Sequence, residues 1–573
     1  MKFSYHKRIL ALSAAVVGFA LVLILRLFFV QIINGSNYIA QADRQYVKHS
    51  TDIFSRGTIF FQERGGATIS AAGLKTQYIV SINPNILSDA LAVFEKINGI
   101  LPIDKLNFLE KSSKKDDPYE MITRTEDQDV FKKINGLRIS GVNLYKENAR
   151  SYPGGRLAAN ILGLVAQDSN EGDRYAGRYG LERYYDDILR RDDSSLYVNF
   201  FVEMFSNAKK AVVGDSDKFL NSDIVLSIEP NVETYLEKEL SGLKNEWNPD
   251  SIGAIIMDPK TGRIIGASVL PNFDPNNFSK ELDSAVFSLP LVENVFELGS
   301  IVKPLTMSAG IDAGVITPQT KYDDKGFVLL NGKKIENHDK KRMGTVDMQA
   351  VIDNSLNTGA VFVMQRLGRE QFRNYMESFG IGEKTDVDLP SETFGLINNL
   401  NSKYEIDYAT AAFGQGIALT PIGAARALSV LANGGLLVKP HLVDRIESPV
   451  GLVKVISQEV QRRVIKSKTA EQITGMLVHA FDFGLLGGKY KISQYSIAAK
   501  TGTAQIPDAH GGYSDKTLHS FFGYFPAYDA RFLVLIYMVD PKNGARFSSD
   551  TLSAPFADLA KFLLNYYEVA PDR

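Results

Sequence analysis

The opening of the chain is patterned unlike anything after it. Behind Lys2, Lys7 and Arg8 the sequence is free of charge and mostly apolar from 9 to 25; Arg26 interrupts it and 27–30 resume it. At about 1.5 Å per residue, 9–33 is long enough to cross a hydrocarbon core of roughly 30 Å as one helix. Arg26 then falls near one end, where a long side chain can reach the interface. The stretch is apolar on nearly every face, unlike an amphipathic soluble helix. Ala40 and Ala42 offer an A-x-A pattern, but the apolar run is longer than that of a cleavable signal peptide. The pattern therefore predicts an uncleaved membrane anchor. The positive-inside rule leaves residues 1–8 in the cytoplasm and carries the rest of the chain outside.

Past the anchor, 34–49 reads as a helical stalk, and 56–220 mixes short apolar runs with polar loops. Residues 111–117 (KSSKKDD) read as a charged, solvated loop. From about 222 the texture changes. Residues 224–228 (IVLSI) predict a strand, 231–243 an amphipathic helix, and 252–257 (IGAIIM) a buried strand. The turn Asp258-Pro259-Lys260-Thr261-Gly262 returns the chain into a second strand over 263–269. The region 300–380 reads as mostly helical, 496–539 as strand-rich, and 554–567 as a closing helix. Strands first, helices between and strands last predict an antiparallel sheet assembled from both ends, with helices on its faces. The fold class is thus α+β and multidomain.

Composition narrows the functions. At 573 residues the chain needs two or three domains, and 45% hydrophobic with 23% charged residues is an ordinary globular balance. With 64 basic and 66 acidic residues there is no basic surplus to hold a nucleic acid. No cysteine is present, which excludes disulfides, thiolate metal sites and a cysteine nucleophile. The seven histidines form no H-E-x-x-H, and neither a Walker nor a dinucleotide glycine pattern occurs. No cofactor and no metal are expected. His510 and His519 read as loop polarity and strand packing.

Three short motifs carry candidate chemistry. Ser300-Ile301-Val302-Lys303 puts a serine and a lysine on one helical face. Serine is a weak nucleophile without an adjacent base, and lysine is a base only when burial or a nearby cation lowers its pKa. Gly299 before the pair and Pro304 after it suit a helix start. Ser355-Leu356-Asn357 offers a hydroxyl to relay a proton and an amide to orient a peptide. Lys500-Thr501-Gly502-Thr503 follows an apolar run and reads as a strand entering a site. Its lysine and threonines suit a carboxylate, and its glycine admits close backbone approach. None of these is informative alone. Ser4/Lys7, Ser112/Lys115, Ser206/Lys209 and Ser241/Lys244 share the first spacing, and Ser81-Ile82-Asn83 repeats the second.

In this order the three motifs resemble those of penicillin-binding proteins and serine β-lactamases. The resemblance extends to 254–262, to 271–276, to Phe413-Gly414-Gln415-Gly416 with Thr420-Pro421, and to 519–526. More loosely, Arg56-Gly57-Thr58-Ile59, Gly141-Val142, Arg150-Ser151-Tyr152-Pro153 and Gly180-Leu181-Glu182 resemble the pedestal (dimerisation) domain of class B, monofunctional penicillin-binding proteins. There are departures. Leu298 stands where the family usually has proline and Ile301 where it has threonine, Ala499 replaces a common glycine, and Glu63-Arg64-Gly65-Gly66 is displaced from the usual Asp-Arg-Asn-Gly.

The resemblance implies a domain order of cytoplasmic tail (1–8), anchor (9–33), stalk and pedestal (34–220) and transpeptidase domain (221–573). It implies a peptidoglycan D,D-transpeptidase in the cytoplasmic membrane with an extracytoplasmic catalytic domain. Ser300 is the expected nucleophile, Lys303 its base, Ser355 the proton relay and Asn357 the orienting amide. Lys500, Thr501, Gly502 and Thr503 are expected at the substrate carboxylate, and the backbone N–H groups of Ser300 and Thr503 form the expected oxyanion hole. The implied partners are stem peptides, β-lactams, a polytopic membrane glycan polymerase and other cell-wall or divisome proteins. No glycosyltransferase resemblance is found in 56–220, which excludes a bifunctional enzyme. A carboxypeptidase or β-lactamase would not need so large an N-terminal region. A β-lactam sensor, a non-catalytic scaffold and a lateral-wall transpeptidase are the alternatives. The run Asn354-Ser355-Leu356-Asn357-Thr358-Gly359 looks closer to the division-type branch.

Overall fold

The structure is a computed structural model describing residues 18–19, 55–168, 174–191, 219–508 and 510–573. The expected anchor over 9–33, apart from residues 18–19, and the stalk over 34–49 lie outside the described residues. Among the described residues no helix is long and apolar enough to cross a membrane. The chain divides into two compact units, one carrying Leu74–Ala149 and the other Arg56–Gly73 with Arg150–Arg573.

The larger unit is built on a five-stranded antiparallel sheet. Its strands are β1 (Ser251–Met257), β2 (Ile264–Leu270), β3 (Ala498–Pro507), β4 (Tyr513–Phe525) and β5 (Phe532–Val539), in spatial order β3-β4-β5-β1-β2. Both ends of this unit's sequence therefore supply strands, as the pattern predicts. Six of its helices cover the two faces of this sheet or lie beside it: α1 (Pro230–Trp247), α2 (Lys303–Asp312), α3 (Asn357–Leu367), α4 (Pro421–Ala432), α5 (Ser467–His479) and α6 (Ser548–Tyr566). Period-two alternation sorts the strand residues between two cores. Ile252, Ala254 and Ile256 join Leu236 and Leu240 of α1 and Phe556 and Leu563 of α6. Ile255 and Met257 face the other way, into a core shared with Ile422 and Leu428 of α4.

Two expectations need correction. Residues 300–380 are not mostly helical throughout: 321–347 hold two hairpins, pairing Lys321–Asp324 with Gly344–Asp347 and Phe327–Leu330 with Lys333–Glu336. The signal was Asn331-Gly332, whose φ angles of 49° and 76° make the kind of tight turn that joins adjacent strands. The last helix starts at Ser548 rather than near 554, with Pro555 inside it and not in its first turn.

A buried ionic cluster joins three of the sequence landmarks. Arg56 Nε lies 2.6 Å from Glu182 Oε2 and Arg150 Nε 2.6 Å from Glu182 Oε1. The Tyr152 hydroxyl donates to the same carboxylate at 3.3 Å. Arg56 Nη1 also reaches Asp186 Oδ1 at 2.7 Å. Arg56 is 1% and Glu182 0% exposed. The paired geometry matters because a lone charge at this depth would be costly.

In the smaller unit, 78–82 pairs with 120–125, and Val80, Ile82, Phe94, Ile97, Phe108 and Ile134 make a separate core. The charged run 111–117 is not simply a solvated loop. Lys111 and Ser112 end the helix Lys105–Ser112, and Ser112 is buried. Lys111 donates to Met121 O at 2.7 Å and Lys115 to Pro84 O at 2.6 Å. Their stems and ammonium groups tie chain segments together.

Candidate active site

Ser300 sits in a single 3-10 turn, Gly299–Val302, that leads into α2. Two neighbours fix this turn. Gly299 has φ +64°, and its N–H donates to Gly414 O at 3.1 Å. Gly414 has φ +82°, and a Cβ there would lie 2.1 Å from Gly299 O. On the other side lies β3, an edge strand of the sheet. Ser520 Oγ, on the adjacent β4, hydrogen-bonds Leu298 O at 2.8 Å and Gly502 O at 3.2 Å. A Cβ at Gly502 would lie 2.5 Å from Leu298 O. The close approach that demands glycine at 502 is therefore to the segment that carries Ser300 and to Ser520 Oγ.

Lys303 opens α2 and is 1% exposed. Its Nζ donates to the Ser355 carbonyl and lies 3.1 Å from Ser355 Oγ. The Ser300 hydroxyl makes no side-chain hydrogen bond to any described residue. Ser355 has φ +55°, a left-handed conformation that a non-glycine residue holds only where its surroundings enforce it. Leu356 then caps α3, which begins at Asn357. Asn357 Nδ2 donates to Glu336 O at 2.8 Å, and Thr358 bonds Asp324 and Asn337. The 321–347 hairpins thus brace the second motif from below.

Burial pulls the Lys303 ammonium well below its ordinary pKa, and the neighbouring charge of Lys500 adds to the effect. Lys500, 6% exposed on β3, is itself pulled down to about 8 by burial, with Asp353 opposing. Its Nζ donates to Thr501 O at 3.1 Å. Thr503 Oγ1 accepts from the Ser548 N–H at 3.0 Å and lies 3.1 Å from Ser548 Oγ, at the head of α6. All three motifs, far apart in sequence, therefore meet where α2, α3 and β3 converge.

Several contributors were not foreseen. Asp353, two residues before Ser355, is the acidic group that steadies Lys500; it also accepts from Gln349 and pairs with His479. His338 is the histidine that senses this site. Partial burial, then Lys303 and Lys500, lower its pKa, and its ring meets Phe547 edge-on at 5.8 Å. In the sequence it stands in a region whose pattern reads as helical, which gives no sign that it approaches this site. His519 lies inside the sheet against Thr551, and burial lowers it to about 4. His510 lies in an exposed turn beside Asp508. A cavity of about 400 Å³, lined by Arg64, Lys260, Arg263, Arg531 and others, shares no residue with the three motifs. Three of its cations are paired with Glu568, Asp529 and Asp444.

A lysine buried against one serine, one turn from a second, at the edge of a helix-walled antiparallel sheet, defines a serine acyltransferase. Residues 252–560, more than half of the chain, match the penicillin-binding protein transpeptidase domain, and 55–200 match the penicillin-binding protein dimerisation domain. The chain belongs to the penicillin-binding proteins, in the two-module arrangement of the class B members. Among curated relatives, Stage V sporulation protein D of Bacillus subtilis is 29% identical over 96% of this chain and 84% of its own. The peptidoglycan D,D-transpeptidase FtsI of Buchnera aphidicola is 24% identical over 99% and 96%. Among solved structures, penicillin-binding protein 2X of Streptococcus thermophilus shares the fold with TM-score 0.72 at 20% identity, covering 90% of this chain and 81% of that one.

Proposed function

We infer that this protein is a peptidoglycan D,D-transpeptidase that cross-links stem peptides during septal wall synthesis. The observation that carries the reading is the Lys303–Ser355–Lys500 cluster. A lysine held this deep, next to a second lysine, has its charged form disfavoured, which suits it to accept a proton.

Ser300 Oγ attacks the carbonyl carbon between the two terminal D-alanines, and its proton passes to Lys303 Nζ. The tetrahedral oxyanion is held by the N–H groups of Ser300 and Thr503. The C–N bond breaks, Ser355 relays the proton to the leaving D-alanine amine, and an acyl ester remains on Ser300. A neighbouring stem's amine attacks that ester, its proton returns through the same groups, and the cross-link leaves with the hydroxyl restored. Lys500, Thr501 and Thr503 hold the donor carboxylate. Gly502 lets β3 lie against the nucleophile. Asn357 orients the donor amide while its own Nδ2 is tied to Glu336 O. β-Lactams acylate Ser300 by the first half of this path.

Residues 9–33 anchor the protein in the cytoplasmic membrane with the catalytic domain outside, 34–220 form the stalk and pedestal, and 221–573 the transpeptidase domain. A polytopic glycan polymerase supplies nascent strands to it. Incubating the full-length protein with such a polymerase and lipid-linked precursor is expected to yield cross-linked muropeptide dimers. Acylation by penicillin without any dimer would favour the sensor. A tagged functional copy is expected at the septum; uniform wall fluorescence would contradict the septal assignment.

A further inference from the structure

Beside the third motif the chain carries a cation that the mechanism above does not use. Arg546 lies two residues before Ser548, the residue whose N–H and hydroxyl contact Thr503 Oγ1. Its guanidinium lies 5.7 Å from the centre of the Phe547 ring. The same ring meets His338 edge-on at 5.8 Å, and His338 lies within electrostatic reach of Lys303 and Lys500. The phenyl ring thus touches both the imidazole, edge-on, and the guanidinium of its chain neighbour. Phe547 remains 39% exposed, so this ring borders solvent. Arg546 forms no ion pair with any described carboxylate. Most surface arginines are either paired or swing freely; this one is unpaired and lies over an aromatic face, a geometry that attracts a cation and limits its wandering.

We propose that Arg546 is a specificity-determining residue of the donor site: a second positive charge, beyond Lys500, that selects and captures substrates ending in a carboxylate. This rests on the assignment of Ser300 as the acylated residue and of Thr503 to the carboxylate end of the donor. Lys500 is buried and its own charge is weakened by burial. A solvent-facing guanidinium keeps its full charge at any working pH, and a charge at the cleft mouth raises encounter more than it alters the bonded steps. Arg546 therefore acts on capture and not on acyl transfer itself. Phe547 is the platform, and His338 packs edge-on against it.

The test measures acylation by intact-protein mass spectrometry and stopped flow on the full-length protein, with Arg546→Gln and Arg546→Lys as variants. The probes are a penicillin with a free carboxylate and the same penicillin as its methyl ester. For the carboxylate probe, Arg546→Gln is expected to lower the second-order acylation constant about 3- to 10-fold at low salt, as loss of one nearby charge implies. The maximal acylation rate at saturation should not change. The deficit should shrink as salt rises, Arg546→Lys should recover most of it, and the ester should react equally with all three proteins. An equal loss for both probes, a loss confined to the maximal rate, or no loss would each overturn the proposal. Failure of the unmodified protein to acylate at all would instead refute the assignment of Ser300.

Discussion

The account makes the positioning of Ser300 depend on a backbone contact between Gly299 and Gly414, and Gly414→Ala tests it. Gly414 has φ +82°, where a side chain costs about 1–2 kcal/mol. The new Cβ would start 2.1 Å from Gly299 O, whereas Cβ atoms do not normally approach closer than 3.0 Å. The two segments must part by roughly 1 Å, an overpacking strain of about 1–3 kcal/mol. The displaced group is the residue immediately before Ser300. A misplacement of about 1 Å at reacting atoms can cost about 10²-fold in rate. The expected result is a folded protein, destabilised by about 2–5 kcal/mol, whose acylation by a fluorescent penicillin is slowed about 100-fold. Stopped-flow acylation and thermal melting read the two effects separately. Gly475→Ala is the control. That glycine lies within α5 and meets nothing closer than Tyr528 Oη at 3.8 Å, so alanine should stabilise by about 0.5–1 kcal/mol and leave acylation unchanged. A folded Gly414→Ala protein that acylates within about threefold of the parent would refute the reasoning, since the displacement is expected to cost far more.

Four further outcomes follow from the charges. Acylation should rise with pH as Lys303, held low by burial and by Lys500, loses its proton, and should fall again as Lys500 deprotonates near about 8; a profile rising steadily to pH 10 would contradict this. Lys500→Gln removes that neighbouring charge, so the acid limb should move to higher pH, and an unmoved limb would sink the coupling. Glu182→Ala leaves Arg56 and Arg150 buried without their carboxylate, and should cost about 3–5 kcal/mol in urea unfolding; a loss under about 1 kcal/mol would show the cluster to be dispensable. Burial raises Glu237 to about 7 while it accepts from the Ala158 N–H. The folded protein holds this proton more tightly than the unfolded chain, so the contribution is complete below the unfolded carboxylate pKa and is lost as pH rises through about 7. Glu237→Gln should therefore raise the Tm at pH 8 and not at pH 4.5, and an equal shift at both would refute the assignment.

The parts of the fold that could be read in the sequence are those whose pattern is local. Residues 252–257 and 263–269 fall almost where β1 and β2 lie, because buried apolar runs bounded by Asp-Pro and Thr-Gly leave few alternatives. The hairpins over 321–347 are announced only by Asn331-Gly332, a two-residue signal inside a region that otherwise reads as helical. With them go His338, Asn337 and the brace under Asn357. The order of the three motifs is legible, and the family resemblance implies that they share one site, but the contacts by which Lys303 reaches Ser355 arise only through tertiary packing. The left-handed backbone at Ser355 leaves no trace in composition, because serine does not favour that conformation. The ionic cluster shows the same limit: Arg56, Arg150 and Glu182 are separate landmarks in the sequence, and only the folded chain makes them partners. Arg546 and Asp353 look like ordinary surface charges until their neighbours are known.

The most direct test of the central claim is peptide mapping by mass spectrometry of the full-length protein after brief exposure to penicillin. The account predicts a single acyl adduct, on the peptide holding Ser300, absent from Ser300→Ala. An adduct on any other residue, or one that persists in Ser300→Ala, would contradict it.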